Sequence, residues 1–247
     1  PCGTLFPYTT LFRSLAAVSF EEERFYRETW RDRDKMLIKM KTTLAIERLT
    51  LSDLEQRFGL EETQDPNFFR EWQDSLPGLS ELERDRLARV RAEYTNLERR
   101  SLLEKTVELV VLAPLLDLAG FFLPPFYIET EKPIEVTLED EDVKLRGRLD
   151  ILILRDRLWV LAIESKRAEF SLKVGIPQLL GYMLLADTAQ SVRYGFVTNG
   201  ESFLFLKLAT GDSPCFSRSK VFLLGQDSGL EIVQQILKHL ANLLATN

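Results

Sequence analysis

Two apolar runs, Leu149–Leu154 and Leu158–Ile163, are separated only by the polar tripeptide Arg155-Asp156-Arg157. Runs of this length across so short a polar turn read as an antiparallel hairpin. The second arm is apolar for six consecutive residues and then stops at Glu164-Ser165-Lys166. A carboxylate that closes a buried strand costs free energy unless it is paired or holds a metal. The hairpin thus constrains the architecture, a sheet with a covered interior, and marks where polar chemistry meets that interior.

Further elements build on it. Ile134–Leu138 supplies a strand before the hairpin, and Val192–Val197 and Phe203–Leu208 flank Asn199-Gly200, the strongest short-range turn signal in the chain. Val221–Leu224 adds another strand. A helix is expected over about Ser101–Leu118, where Leu102, Leu103, Val107, Val110, Val111, Leu115 and Leu118 recur near helical spacing and should pack on a sheet. Pro124-Pro125 separates it from the strands, a second helix is expected over Pro177–Asp187, and an amphipathic one over Leu230–Leu244. The order αβββαββ implies an α+β or α/β core, a mixed sheet flanked by helices.

Upstream, the pattern from Met40 is helical and heavily charged. Ser52 and Glu55 read as a capping box with Gly59 at the helix exit, and Asp65-Pro66-Asn67 as a loop. A short helix over Phe68–Leu76 is expected to end at Pro77-Gly78, and Ser80 with Glu83 to cap a Glu- and Arg-rich helix. Residues 40–100 are therefore expected as a charged helical region ahead of a core domain at 101–247. Leu51–Leu60 resembles the first helix of a helix-turn-helix, but Asp65-Pro66 leaves no recognition helix, so scaffolding or partner contact is the better reading.

Charge and cysteine usage narrow the function classes. Thirty-two basic against 38 acidic residues, a net charge of -6, argues against coating nucleic acid through bulk charge. A local basic island remains: Lys144 to Lys173 carries eight basic and four acidic residues, and Arg146, Arg148, Arg167 and Lys173 are its candidate nucleic-acid contacts. Two cysteines, Cys2 and Cys215, and one histidine, His239, argue against a disulfide framework, a His/Cys zinc site and most nucleophile-histidine mechanisms. Cys215, beside Pro214, is expected in a loop. No apolar run reaches the roughly 18 residues a bilayer span needs. A reducing, cytoplasmic setting is expected, with no membrane partner.

The first residues stand apart. Thr4–Ser14, TLFPYTTLFRS, resembles codon for codon the translation of a common sequencing-library adapter. Residues 1–14 are accordingly expected to be an assembly artefact and 15–39 a non-native or disordered extension, with Met36 and Met40 as candidate starts.

The chemistry gathers at the hairpin. Asp150 begins one arm and Glu164 and Lys166 end the other, so closing the hairpin brings all three to one edge; residues two apart on a strand share a face. Two carboxylates suit a hard cation such as Mg²⁺ or Mn²⁺, and an ammonium beside it suits an attacking water or a phosphate. Asp150, Glu164 and the backbone carbonyl of Ser165 are the expected metal ligands, with Lys166 positioning or deprotonating water and offsetting phosphate charge. The plain structural alternative is a salt bridge from Lys166 to Glu164 or Asp150.

These residues, Gly147-Arg148-Leu149-Asp150 and Glu164-Ser165-Lys166, resemble the PD-(D/E)xK nuclease superfamily. Gln178-Leu179-Leu180-Gly181-Tyr182 matches the Gln-x-x-x-Tyr pattern of some of its branches, where i, i+4 spacing puts both side chains on one helix face. Glu104, followed by Pro114 and Gly120-Phe121, is similar to the first helix of the nuclease domain in type I restriction-enzyme R subunits, including cyanobacterial ones, and Thr198-Asn199-Gly200 looks like that family's hairpin turn. The resemblance spans about Ser101–Leu208. It implies an αβββαβ core and Mg²⁺- or Mn²⁺-dependent DNA cleavage by Asp150, Glu164, Lys166, Gln178 and Tyr182, with Glu104 as an auxiliary metal ligand; on the residues alone, Glu104 and Glu108 are equal candidates. DNA is the implied substrate, with RNA left open, and separate restriction-system subunits are the implied partners.

One departure matters. The chain has no G-x-x-x-x-G-K-[ST] phosphate loop, so no ATP site is expected here although type I R subunits carry a translocase. A different class stays open: a non-catalytic nucleic-acid-binding or complex-assembly module of a restriction or defence system.

Overall fold

The computed structural model describes residues 42–246, apart from 101, 139–142, 157, 168–170, 187 and 189. The adapter-like string and the extension to residue 39 lie outside the described residues. In chain order the elements are β1 (Thr42–Ala45), a 3₁₀ turn (Ile46–Arg48), α1 (Leu51–Phe58), β2 (Glu61–Glu62) and α2 (Glu81–Leu97). Then come α3 (Glu104–Val107), a π-helical turn (Glu108–Leu112), α4 (Ala113–Leu118), β3 (Phe126–Leu138), β4 (Val143–Arg155) and β5 (Leu158–Ser165). The chain closes with α5 (Leu172–Leu184), β6 (Val192–Thr198), β7 (Ser202–Ala209), β8 (Cys215–Arg218), β9 (Phe222–Leu223) and α6 (Gly229–Thr246).

Among the described residues the strands join one mixed sheet in the order β1-β4-β5-β6-β7-β8-β2, with β3 also on β4 and β9 on β7. The expected hairpins form: β4 and β5 pair antiparallel with Arg155 opposite Leu158, and β6 and β7 pair antiparallel with Thr198 opposite Phe203. β5 and β6 are parallel, which requires the crossover that α5 makes.

Helices cover both faces, and this explains why the hairpin arms are continuously apolar rather than alternating. On one face Ile153, Leu161, Ile163, Phe196 and Phe205 pack with Leu87 and Val90 of α2, Val111 and Leu115, and Val233 and Leu237 of α6. On the other, Leu152, Ala162, Val197 and Leu206 pack with Leu54 of α1 and with Ile176, Leu179 and Met183 of α5. Adjacent strand residues such as Leu152 and Ile153 thus serve opposite layers.

Several local expectations change. The region from residue 40 is not wholly helical, since β1 and β2 lie in it. Phe68–Leu76 forms turns instead of a helix, with Phe69 held by tertiary burial. The first capping box is Thr50 with Asp53, not Ser52 with Glu55, whereas the Ser80–Glu83 box forms as read and Gly59 closes α1. Helix α5 starts at Leu172, capped by Ser171, and carries Pro177 inside it. Cys215 opens strand β8 rather than sitting in a loop; four residues of mixed polarity leave no periodic signal. Strands β3 and β4 run well beyond the apolar segments because their outer halves are solvated and read as polar.

Candidate active site

The β4–β5 ladder places Ile151 opposite Ile163, so the next residues outward, Asp150 and Glu164, leave the apolar interior together. Ser165 ties the two strands: its backbone N–H donates to Asp150 Oδ2 at 2.8 Å, and its hydroxyl lies 3.1 Å from the same oxygen and 2.9 Å from Glu108 Oε1. A serine has one hydroxyl hydrogen, so Asp150 and Glu108 share it.

Glu164 is 1% exposed, and its two oxygens differ. Oε1 accepts from Lys166 Nζ at 2.5 Å, whereas Oε2 is buried with no hydrogen-bond partner. Burial, reinforced by the Asp150 carboxylate, pushes Glu164 up to about 8 against the pull of Lys166, and Glu104 adds further repulsion. The ion pair and the upward shift oppose one another, and the shift prevails because desolvation is the largest effect and Asp150 and Glu104 add to it. Burial likewise raises Asp150, partly offset by the Ser165 hydrogen bonds and Lys166.

Lys166 also donates to Gln178 Oε1 at 2.7 Å. Its stem passes α5 at Gly175, where a Cβ would lie 2.7 Å from Val197 Cγ1 and 3.4 Å from Lys166 Cε; only glycine permits that approach. One turn on, Gln178 Nε2 donates to the Tyr182 hydroxyl at 3.3 Å. That hydroxyl accepts from Arg148 N–H at 2.9 Å and faces Arg148 O at 2.9 Å and Glu47 Oε1 at 3.0 Å. Burial raises the pKa of Tyr182.

The fold thus brings Asp150, Glu164, Ser165, Lys166, Gln178 and Tyr182 together. Glu104 opens α3 and reaches Glu164 electrostatically, while Glu108, its rival on the residues alone, takes the Ser165 hydrogen bond. The basic island is partly neutralised: Arg146 lies 3.8 Å from Glu135 and Arg148 3.2 Å from Glu131, both on neighbouring β3. Arg167, just past β5, and Lys173, in the first turn of α5, are exposed. Sequence reading missed Glu47, which is 135 residues from Tyr182 and has no motif around it, and the side chain of Ser165, the variable position of Glu-x-Lys.

The ligands expected from the sequence, Asp150, Glu164, Glu104 and the Ser165 carbonyl, would all offer oxygen, the donor type a hard cation takes. The unpartnered Oε2 of Glu164 fits such an ion, since a buried carboxylate oxygen otherwise pays its desolvation without return. Among the described residues, no three acidic, histidine or cysteine side chains converge as a ready-made cage. Ser165 and Lys166 hold the carboxylates in hydrogen bonds of their own.

The site is a pair of carboxylates beside a lysine at one edge of a mixed sheet with helices on both faces. The family model of the type I restriction enzyme R protein N terminus matches residues 67–213, more than half of the chain, and the chain belongs to that family. No curated protein matches it. The matched segment includes Glu104 through Tyr182 and excludes Glu47. No helix among the described residues is long and apolar enough to cross a membrane.

Proposed function

We propose that this chain is a metal-dependent nuclease of the PD-(D/E)xK type that hydrolyses DNA phosphodiester bonds as part of a cytoplasmic restriction or defence system. The observation that carries this is the buried, unpartnered Oε2 of Glu164 beside Asp150, with the Lys166 ammonium on the same carboxylate. Mg²⁺ or Mn²⁺ held by Asp150, Glu164 and the Ser165 carbonyl, with Glu104 in support, would supply Lewis acidity and a more acidic water.

The residues themselves do the positioning. An ammonium has three hydrogens. Glu164 and Gln178 take two from Lys166, which leaves one for a phosphate oxygen or the attacking water. Gln178 and Tyr182 hold the lysine at a fixed angle, so charge stabilisation needs little rearrangement. Arg146, Arg148, Arg167 and Lys173 would neutralise strand phosphates along the sheet edge. The family supports DNA as substrate and other restriction-system subunits as partners. No ATP site enters this chemistry.

The test is cleavage of plasmid and single-stranded DNA, with RNA as a control, by the full chain in Mg²⁺, Mn²⁺ or EDTA, alongside Asp150→Ala and Lys166→Ala. Metal-dependent cutting lost in both variants is expected. A folded wild-type protein that neither cuts nor binds metal at Asp150 would replace this reading with the non-catalytic binding or assembly module.

A further inference from the structure

Glu47 belongs to the 3₁₀ turn between β1 and α1, outside the family-matched segment, yet its carboxylate reaches the polar chain behind Lys166. Resting on the nuclease reading, we propose that Glu47 is a positioning residue for Lys166 and acts through Tyr182 and Gln178.

Donor and acceptor chemistry sets the direction of that chain. Lys166 can only donate, so Gln178 must present Oε1 to it, and its amide nitrogen then points to the Tyr182 oxygen. Arg148 N–H donates into the same oxygen. With two hydrogens arriving, the Tyr182 hydroxyl must send its own outward, to Glu47 Oε1 at 3.0 Å or Arg148 O at 2.9 Å. A carboxylate cannot donate and is the stronger acceptor, so Glu47 holds the hydroxyl hydrogen away from Gln178. Glu47 Oε1 also lies 3.3 Å from Arg148 N, which anchors the carboxylate to the strand that carries Asp150. The amide of Gln178 is thereby kept in the one orientation that offers Lys166 an acceptor.

Gly147 supports the same conclusion independently. A Cβ there would lie 2.7 Å from Tyr182 OH and 3.0 Å from Glu47 Oε1, so β4 leaves at this point only the space these two oxygens fill.

The experiment uses the full chain with Glu47→Ala, Glu47→Gln, Tyr182→Phe and the Glu47→Ala/Tyr182→Phe double variant. Steady-state cleavage of DNA in Mg²⁺ is measured together with hydrogen exchange of the Gln178 side-chain amide by NMR. Glu47→Ala should lower kcat about tenfold with KM nearly unchanged, the size expected when an outer hydrogen-bond partner is lost. Glu47→Gln keeps an acceptor oxygen and should recover to within about threefold of wild type. The double variant should be no slower than Tyr182→Phe, and the Gln178 amide should exchange faster in Glu47→Ala. An unchanged kcat, additive losses in the double variant, or unaltered Gln178 exchange would overturn the role of Glu47. A wild-type chain that does not cut, with Gln178 exchange still governed by Glu47, would remove the nuclease reading while the positioning chain stands.

Discussion

Lys166 Nζ sits 2.5 Å from one oxygen of Glu164, and the other oxygen of that carboxylate is buried with no partner. One side chain therefore faces two ways: it fixes the lysine and keeps an oxygen available. An unmade buried hydrogen bond costs about 1–3 kcal/mol, and Glu164 bears that cost at Oε2, as Glu71 does at its own Oε2 beside Lys207.

Metal addition should repay that cost. Mg²⁺ or Mn²⁺ added to EDTA-treated protein is expected to raise Tm, with a gain of about 2.7 kcal/mol when the ion is at one hundred times its Kd. Asp150→Asn and Glu164→Gln should each abolish the increment in a thermal-shift titration. An undiminished shift in Asp150→Asn would place the cation elsewhere.

Lys166→Met keeps the length of the stem and removes the ammonium. The single-turnover cleavage rate should fall by about 10²–10³, the range for loss of one charge-stabilising donor. DNA affinity measured by fluorescence anisotropy in Ca²⁺ should change little. A fall in affinity as large as the fall in rate would make Lys166 a binding residue instead.

Ser165→Ala removes the shared hydroxyl between Asp150 and Glu108 and leaves the backbone N–H on Asp150. Metal-free protein should lose about 1 kcal/mol in a urea titration. Adding Glu108→Gln removes one of the two facing carboxylates and should restore part of the loss. Strict additivity of the two substitutions would show that Ser165 does not couple the acids.

At the far end of the sheet from Asp150, Glu71 Oε1 accepts from Lys207 Nζ at 2.6 Å and from Tyr194 OH at 2.8 Å. Burial pushes its pKa up, but Lys207 and Tyr194 outweigh it, and the net shift is down from 4.5. A lowered carboxylate pKa gives stability that is present above the unfolded value and is lost as pH falls through the folded one. Wild type should therefore exceed Glu71→Gln by about 2 kcal/mol near pH 7. The two should converge in denaturation curves taken below 4.5. A gap that persists in acid would show that packing, not charge, carries the contribution.

How much was legible follows from the kind of signal involved. The β4–β5 and β6–β7 hairpins could be read because each turn and both arms are contiguous in the chain. Asp150, Glu164 and Lys166 were read with them, since pairing two known strands fixes which residues meet at the edge. Gln178 and Tyr182 were picked out by the Gln-x-x-x-Tyr resemblance, and their spacing on one helix brings them together. The short strands β2 and β8 were not legible: Glu61 pairs with Cys215 across the whole domain, and neither segment has a pattern of its own. Nor was the turn conformation of Phe68–Leu76, where burial of Phe69 overrides local helical preference.

Local order thus accounts for the sheet interior, the hairpins and the carboxylate–lysine edge, because hydrophobic periodicity and turn chemistry act between near neighbours. Long-range contact accounts for the rest. It selects Glu108 for the Ser165 hydroxyl, sets Glu104 against Glu164 through space, pairs Arg146 and Arg148 with β3, and brings Glu47 to Tyr182. Those meetings depend on strand register and on how each helix seats on its face of the sheet, and no segment of sequence records either until the chain has folded.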